Sequence, residues 1–183
     1  NSIIEEVYCN VNLSGTGVNG EIYNNSLPLT LDISISQSGF PLNLSTEVQS
    51  TPIVVDYDLD GDNDVFIGDY LGIVHHYTID GVEVEDDTFP YDTGDQIWGS
   101  MATSDIDADG YPDMVVSSKS KHLYAFDRNG LKFNYDASSW LMGTPAIGNV
   151  DDDSELEIVI GGYSSTGKKI YAVNHDGSDV PGF

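Results

Sequence analysis

The sequence predicts an all-β fold, and three observations carry that reading. Apolar and polar residues alternate with period two in short runs, not with the 3.6-residue period of a helix. Asp-Gly and Asn-Gly pairs at Asp80-Gly81, Asn129-Gly130 and Asp176-Gly177 mark tight hairpin turns. An acidic loop recurs at an interval of about 45 residues, which signals a repeat architecture.

Residues 1–38 stand apart from the repeats. Val7, Cys9, Val11 and Leu13 alternate with Tyr8, Asn10 and Asn12. Leu27, Leu29, Leu31, Ile33 and Ile35 alternate with Pro28, Thr30, Asp32 and Ser34. Each run reads as a half-buried strand. Ser14 to Gly17 and Asn24 to Ser26 read as turn or loop. Pro28 either begins the second strand or places it at a sheet edge. The segment is too small for a core of its own and is expected to pair with something else. Sequons stand at Asn12, Asn24 and Asn43, and they matter only where the source glycosylates secreted proteins.

The repeats run from Gly39 as three units, about 39–88, 89–132 and 133–183, with Phe40, Phe89 and Phe133 near their starts. Each unit reads as a small-residue strand, an acidic loop, an apolar strand, a third strand and a turn. The first has Thr51 to Val55, Val65 to Gly68 and Ile73 to Ile79 as its strands. The second has Ser100 to Ser104, Met114 to Ser117 and His122 to Phe126. The third has Thr144 to Gly148, Ile158 to Gly161 and Lys169 to Val173. A fourth strand is expected after each turn. Four short antiparallel strands in about 45 residues describe a propeller blade. The reading is therefore a partial β-propeller of three four-stranded blades, preceded by a short β segment. Closed rings need about 4–8 blades. The sequence is thus expected to be part of a longer propeller, or to be completed by copies of itself through strand donation from residues 1–36.

The loops carry the chemistry. In the first, Asp56, Asp58, Asp60 and Asp64 take positions 1, 3, 5 and 9, with Gly61 at position 6. In the second, Asp105, Asp107, Asp109 and Asp113 repeat the spacing around Gly110. In the third, Asn149, Asp151, Asp153 and Glu157 follow it with Ser154 in place of glycine. Carboxylates this close repel one another unless a cation neutralises them. Oxygen donors that converge from alternate positions suit a hard ion of the Ca²⁺ type. An EF-hand needs a Glu at position 12 and flanking helices. Position 12 here is Ile67, Val116 or Ile160, and the flanks are β-branched.

The first two loops match Asp-x-Asp-x-Asp-Gly-x-x-Asp, and in this the chain resembles the FG-GAP (VCBS-type) repeats of integrin α-subunit propellers and secreted bacterial proteins. The resemblance covers about residues 39–183. It implies one Ca²⁺ per loop, held by the side chains at positions 1, 3, 5 and 9 and by the backbone carbonyl at position 7. Those carbonyls belong to Asp62, Tyr111 and Glu155. Two or three ions are expected, since the third loop departs from the pattern at three positions.

Composition excludes several classes. Lys+Arg number 6 against 31 Asp+Glu, a formal charge of −25. That balance argues against nucleic acid and anionic membrane surfaces as partners. It suits solubility, or a saline or extracellular setting. Cys9 is the single cysteine, so no intrachain disulfide forms, and no run of about 18 apolar residues spans a membrane. The chain begins with Asn and reads as processed or excised from something longer. Nothing resembles a nucleophile elbow. The glycine-rich stretch from Gly161 to Gly167 falls between strands and reads as a hairpin loop, not a phosphate loop. His75, His76 and His122 lie inside strands and read as packing. The expected function is a non-catalytic, calcium-stabilised extracellular module for adhesion, matrix or surface assembly, with itself, another protein or a glycan as partner. The alternative is the ligand- or glycan-binding propeller domain of a larger secreted enzyme, with Trp98, Trp140 and tyrosines as a sugar-binding face.

Overall fold

A computed structural model describes residues 4–34, 39–151, 153–165 and 167–182. The chain divides into two compact units, Asn1–Pro41 and Leu42–Phe183. All regular structure among the described residues is antiparallel β.

In the first unit, β1 (Ile4–Thr16) and β2 (Ile22–Ser34) pair in continuous register from Ile4 opposite Ser34 to Thr16 opposite Ile22. The two segments expected as loops lie inside this ribbon: Ser14 pairs with Asn24, and Asn12 with Ser26. The backbone ladder continues wherever a partner strand is in register, and polar side chains cost little on a solvated face. The turn occupies residues 17–21, closed by Gly17 N–H donating to the Glu21 carbonyl at 2.7 Å. Pro28 sits mid-strand opposite Asn10, tolerated because a two-stranded ribbon has only edge strands. The face expected to be half-buried is open, with Val11, Leu13, Leu27 and Leu29 all exposed. Ile35 lies outside the described residues.

The second unit holds three four-stranded sheets. The first orders β3 (Ile53–Val55), β4 (Asp64–Gly68), β5 (Ile73–Thr78) and β6 (Tyr91–Asp92). The second orders β7 (Ala102–Ser104), β8 (Asp113–Ser117), β9 (His122–Asp127) and β10 (Gly130–Asp136). The third contains β11 (Trp140–Leu141), β12 (Ala146–Gly148), β13 (Glu157–Ser164) and β14 (Gly167–Val173). A full fourth strand follows its turn only in the second sheet. After Gly81 and Gly177 the chain makes single bridges, Glu83 to Tyr77 and Asp179 to Val173. In the first sheet the outer place is taken by the short β6, which pairs with β5, while in the third β11 pairs with the far end of β13 on the edge it shares with β12. The glycine-rich stretch is mostly strand: β13 runs to Ser164 and β14 starts at Gly167.

Strand alternation explains how the sheets stack. Successive side chains point to opposite faces. From the middle sheet, Met114, Val116, Tyr124 and Phe126 join a core with Phe66, Val74 and Phe89 of the first sheet's segment. Val115, Leu123 and Ala125 join a second core with Leu141, Ile158, Ile160 and Val173 of the third. The middle sheet is thus buried on both faces, which is why β8 and β9 read as nearly continuous apolar runs. Hydroxyl residues before each inner strand link one sheet to the next. Thr51 N–H donates to Ser100 Oγ and Ser100 N–H donates to Thr144 Oγ1, both at 3.1 Å. Gly99 lies so close to the next sheet that a Cβ there would stand 2.2 Å from the Gly143 carbonyl oxygen.

Candidate metal centres

Each acidic loop joins two neighbouring antiparallel strands of its sheet: β3 to β4, β7 to β8, and β12 to β13. The loops are built the same way. In each, the carboxylate at position 9 accepts the backbone N–H of position 2. Asp64 accepts from Tyr57 at 3.2 Å, Asp113 from Ile106 at 2.9 Å, and Glu157 from Val150 at 2.6 Å. The carboxylate at position 5 accepts the N–H of position 7: Asp60 from Asp62, Asp109 from Tyr111, and Asp153 from Glu155. At position 1, Asp56 accepts Gly61 N–H and Asp105 accepts Gly110 N–H. Local side-chain bonds to backbone N–H are what Asp offers a turn. They coil the loop so that its free oxygens face inward.

Gly61 and Gly110 have φ of 100° and 91°, as their position 6 requires. Leu59 and Ala108, both at position 4, also have positive φ, at 62° and 58°. Ser154 is absent from the positive-φ positions among the described residues.

Three groups of carboxylates have oxygens within 4.8 Å of one another: Asp56 with Asp58 and Asp60, Asp105 with Asp107 and Asp109, and Asp151 with Asp153 and Glu157. Asp64 and Asp113 stand outside these groups, their oxygens engaged elsewhere. Asp64 Oδ1 meets His76 Nε2 at 2.8 Å, and Asp113 Oδ1 lies 3.5 Å from Lys132 Nζ. In the third loop, the Asn149 amide donates to the Asp153 carbonyl at 2.7 Å and the Glu155 carbonyl at 3.5 Å.

The donor set fits a hard divalent cation on one further observation. Among the described residues, one carboxylate oxygen in each loop is buried without a hydrogen-bond partner: Asp56 Oδ1, Asp107 Oδ1 and Glu157 Oε1. Leaving such a group unmet costs free energy that a bound cation would offset. Burial pushes the Asp113 carboxyl up to about 6. Burial also acts to raise Asp107, but the hydrogen bond and charge of Lys132 outweigh it and hold that carboxyl below its ordinary range.

Lys132 and the contact of His76 with Asp64 escaped the sequence reading. His76 is buried and stacked on Phe66 with ring centres 4.3 Å apart, so packing and the Asp64 contact coincide. Lys132 could have been suspected, because cations are scarce in this chain. Away from the loops, Trp140 and Tyr163 stack at 6.1 Å and line a cleft of about 230 Å³ with Lys121, Ser138 and Ser139. Trp98 stacks on Tyr70 at 6.3 Å, with the Lys119 ammonium 4.5 Å from its ring centre.

No family model matches the chain, and no curated protein matches it. Solved structures do. A crystal structure of BBS1N in complex with ARL6DN, soaked with mercury, superposes with a TM-score of 0.51 at 14% identity, over 74% of this chain and 44% of that one. The same complex soaked with lead gives 0.48 at 15% identity, over 78% and 44%. The V. cholerae biofilm matrix protein Bap1 gives 0.42 at 14% identity, over 98% and 39%. The chain spans less than half the length of each of them. The likeness to the first is one of fold.

Proposed function

We propose that this chain is a non-catalytic, calcium-stabilised extracellular structural or interaction module, built on propeller blades of the FG-GAP type. The observation that carries the reading is the recurrence of a buried, unpartnered carboxylate oxygen in three equivalent loops. Asp56, Asp58, Asp60, Asp105, Asp107, Asp109, Asp151, Asp153 and Glu157 would hold the ions. Each ion would neutralise a cluster that otherwise repels itself, and so lock the turn between two neighbouring strands of a blade. Binding to the folded state alone stabilises it by mass action. Chelation is therefore expected to lower the melting temperature, with millimolar Ca²⁺ restoring it and Mg²⁺ substituting poorly. An unchanged melting curve in excess chelator refutes this reading.

The exposed Trp140–Tyr163 pair favours a second reading, a glycan-binding face. An indole ring can cover the C–H face of a sugar while Ser138 and Lys121 meet its hydroxyls. Tryptophan fluorescence during titration with soluble polysaccharides, in the parent and in Trp140→Ala, separates this reading from a purely structural one.

A further inference from the structure

β10 leaves its register at one residue. Leu131 pairs with Phe126 and Phe133 with Ala125, which makes Lys132 the extra residue of a bulge. Bulges re-aim side chains and gather next to functional sites. This one turns Lys132 into the second loop. Its ammonium hydrogen-bonds Asp107 Oδ2 and lies 3.5 Å from Asp113 Oδ1, at positions 3 and 9. Counted from the turn glycine, the same place holds Glu83 in the first sheet and Asp179 in the third. Both are acids, and both make a bridge to the third strand. With 6 Lys and Arg in the whole chain, a lysine aimed between two loop carboxylates is not a by-product of composition.

We propose that Lys132 is a tethered cation that competes with calcium for the second loop, making it a weaker, lysine-gated site beside the first. The inference rests on the calcium reading of the loops. A calcium ion takes carboxylate oxygens at about 2.3–2.6 Å. An ion held in part by Asp107, whose Oδ2 already carries the ammonium, would therefore lie against it, and like charges at that range repel. Lys132 must leave for the ion to enter. While it stays, Lys132 neutralises the loop, so the second sheet keeps its turn at low calcium. Asp107 Oδ1 remains buried and without a hydrogen-bond partner.

The test is calorimetric titration of Ca²⁺ into calcium-free chain. The Asp58→Ala background silences the first loop, and Lys132 is compared with Lys132→Met and Lys132→Arg. Lys132→Met is expected to raise the affinity of the second loop at least tenfold. Lys132→Arg, which keeps the charge, should leave it weak, an outcome that a mere packing role does not produce. The ¹⁵Nζ resonance of Lys132 in the otherwise unaltered chain should shift as that site fills. Equal affinity with lysine and methionine, or a resonance that stays put while the second loop fills, overturns the proposal with the calcium reading intact. Absence of calcium binding from every variant and from the unaltered chain overturns both.

Discussion

At the scale of single residues, the acidic loops ask more of some carboxylates than of others. Glu157 is fully buried, with one oxygen accepting Val150 N–H and the other unmet. Glu157→Ala should cost about 1–3 kcal/mol in calcium-saturated protein, because it strands that N–H. A denaturant titration measures it. Asp58 is exposed and serves the turn through one bond to Asp60 N–H, at 3.1 Å. Asp58→Ala should therefore remove one bound calcium with a smaller loss of stability in calcium-free buffer, which stoichiometry and melting together report. The tyrosines make an alkaline prediction. Burial first, then Glu83, pushes the Tyr77 phenol up to about 12. Burial and the Asp179 carboxylate also raise Tyr135, whose hydroxyl donates to Asp179 at 2.7 Å. A raised folded value means the folded chain holds these protons more tightly than the unfolded one. Their contribution is complete below pH 10, the ordinary value, and that of Tyr77 is lost as pH climbs through about 12. Absorbance at 295 nm should show late-ionising tyrosines in folded protein, and Tyr77→Phe should remove part of that late phase.

At the scale of elements, the contacts between sheets are the part that sequence pattern alone could not supply. Period two and the Asp-Gly turns place the inner strands to within a residue or two, because β3 to β5 and β7 to β9 are set by local alternation and turn chemistry. The acidic loops were readable for the same reason: their spacing is local. The fourth strands were not, because pairing after Gly81 and Gly177 depends on what the neighbouring segment offers, and it stops at one bridge. Nor could pattern show that β1 and β2 run through their polar ends, since only a partner in register reveals the ladder. Lys132 was hidden because a bulge breaks the alternation that would otherwise place its side chain. The Gly99–Gly143 approach is another non-local feature, and it is testable. Gly99→Ala puts a methyl 2.2 Å from a carbonyl oxygen, so the sheets must part. A loss of about 1–3 kcal/mol is expected. Gly161→Ala, with nothing within 4 Å of the added carbon, should fall within about 0.5 kcal/mol of the parent. If both variants melt alike, close packing at Gly99 does not hold the sheets together.

At the scale of the molecule, the ribbon of β1 and β2 poses the remaining question. A lone two-stranded hairpin is marginal in water. Here Tyr8, Leu13, Ile22, Tyr23 and Leu27 are all exposed, Ile22 by 72%. Among the described residues the sheet has two strands, and the edge of a sheet is a template for further pairing. The ladder is long and in register throughout, so another strand could add along it without rearrangement. Self-association through this ribbon follows as the expectation. Net charge opposes it: at −25, copies repel one another at low salt. Calcium and added salt should therefore both favour assembly, the first by neutralising loop carboxylates and the second by screening. Sedimentation of the full chain is expected to show a concentration-dependent species larger than the monomer, growing between about 10 mM and 150 mM salt, over which the screening length shortens from about 30 Å to 8 Å. Placing charges on the exposed ribbon with Ile22→Asp and Tyr23→Asp should return the chain to monomer while its melting temperature, governed by the three stacked sheets, stays put. A parent chain that sediments as a monomer at every concentration and salt leaves the ribbon without this role, and assembly that survives both aspartates places the contact elsewhere.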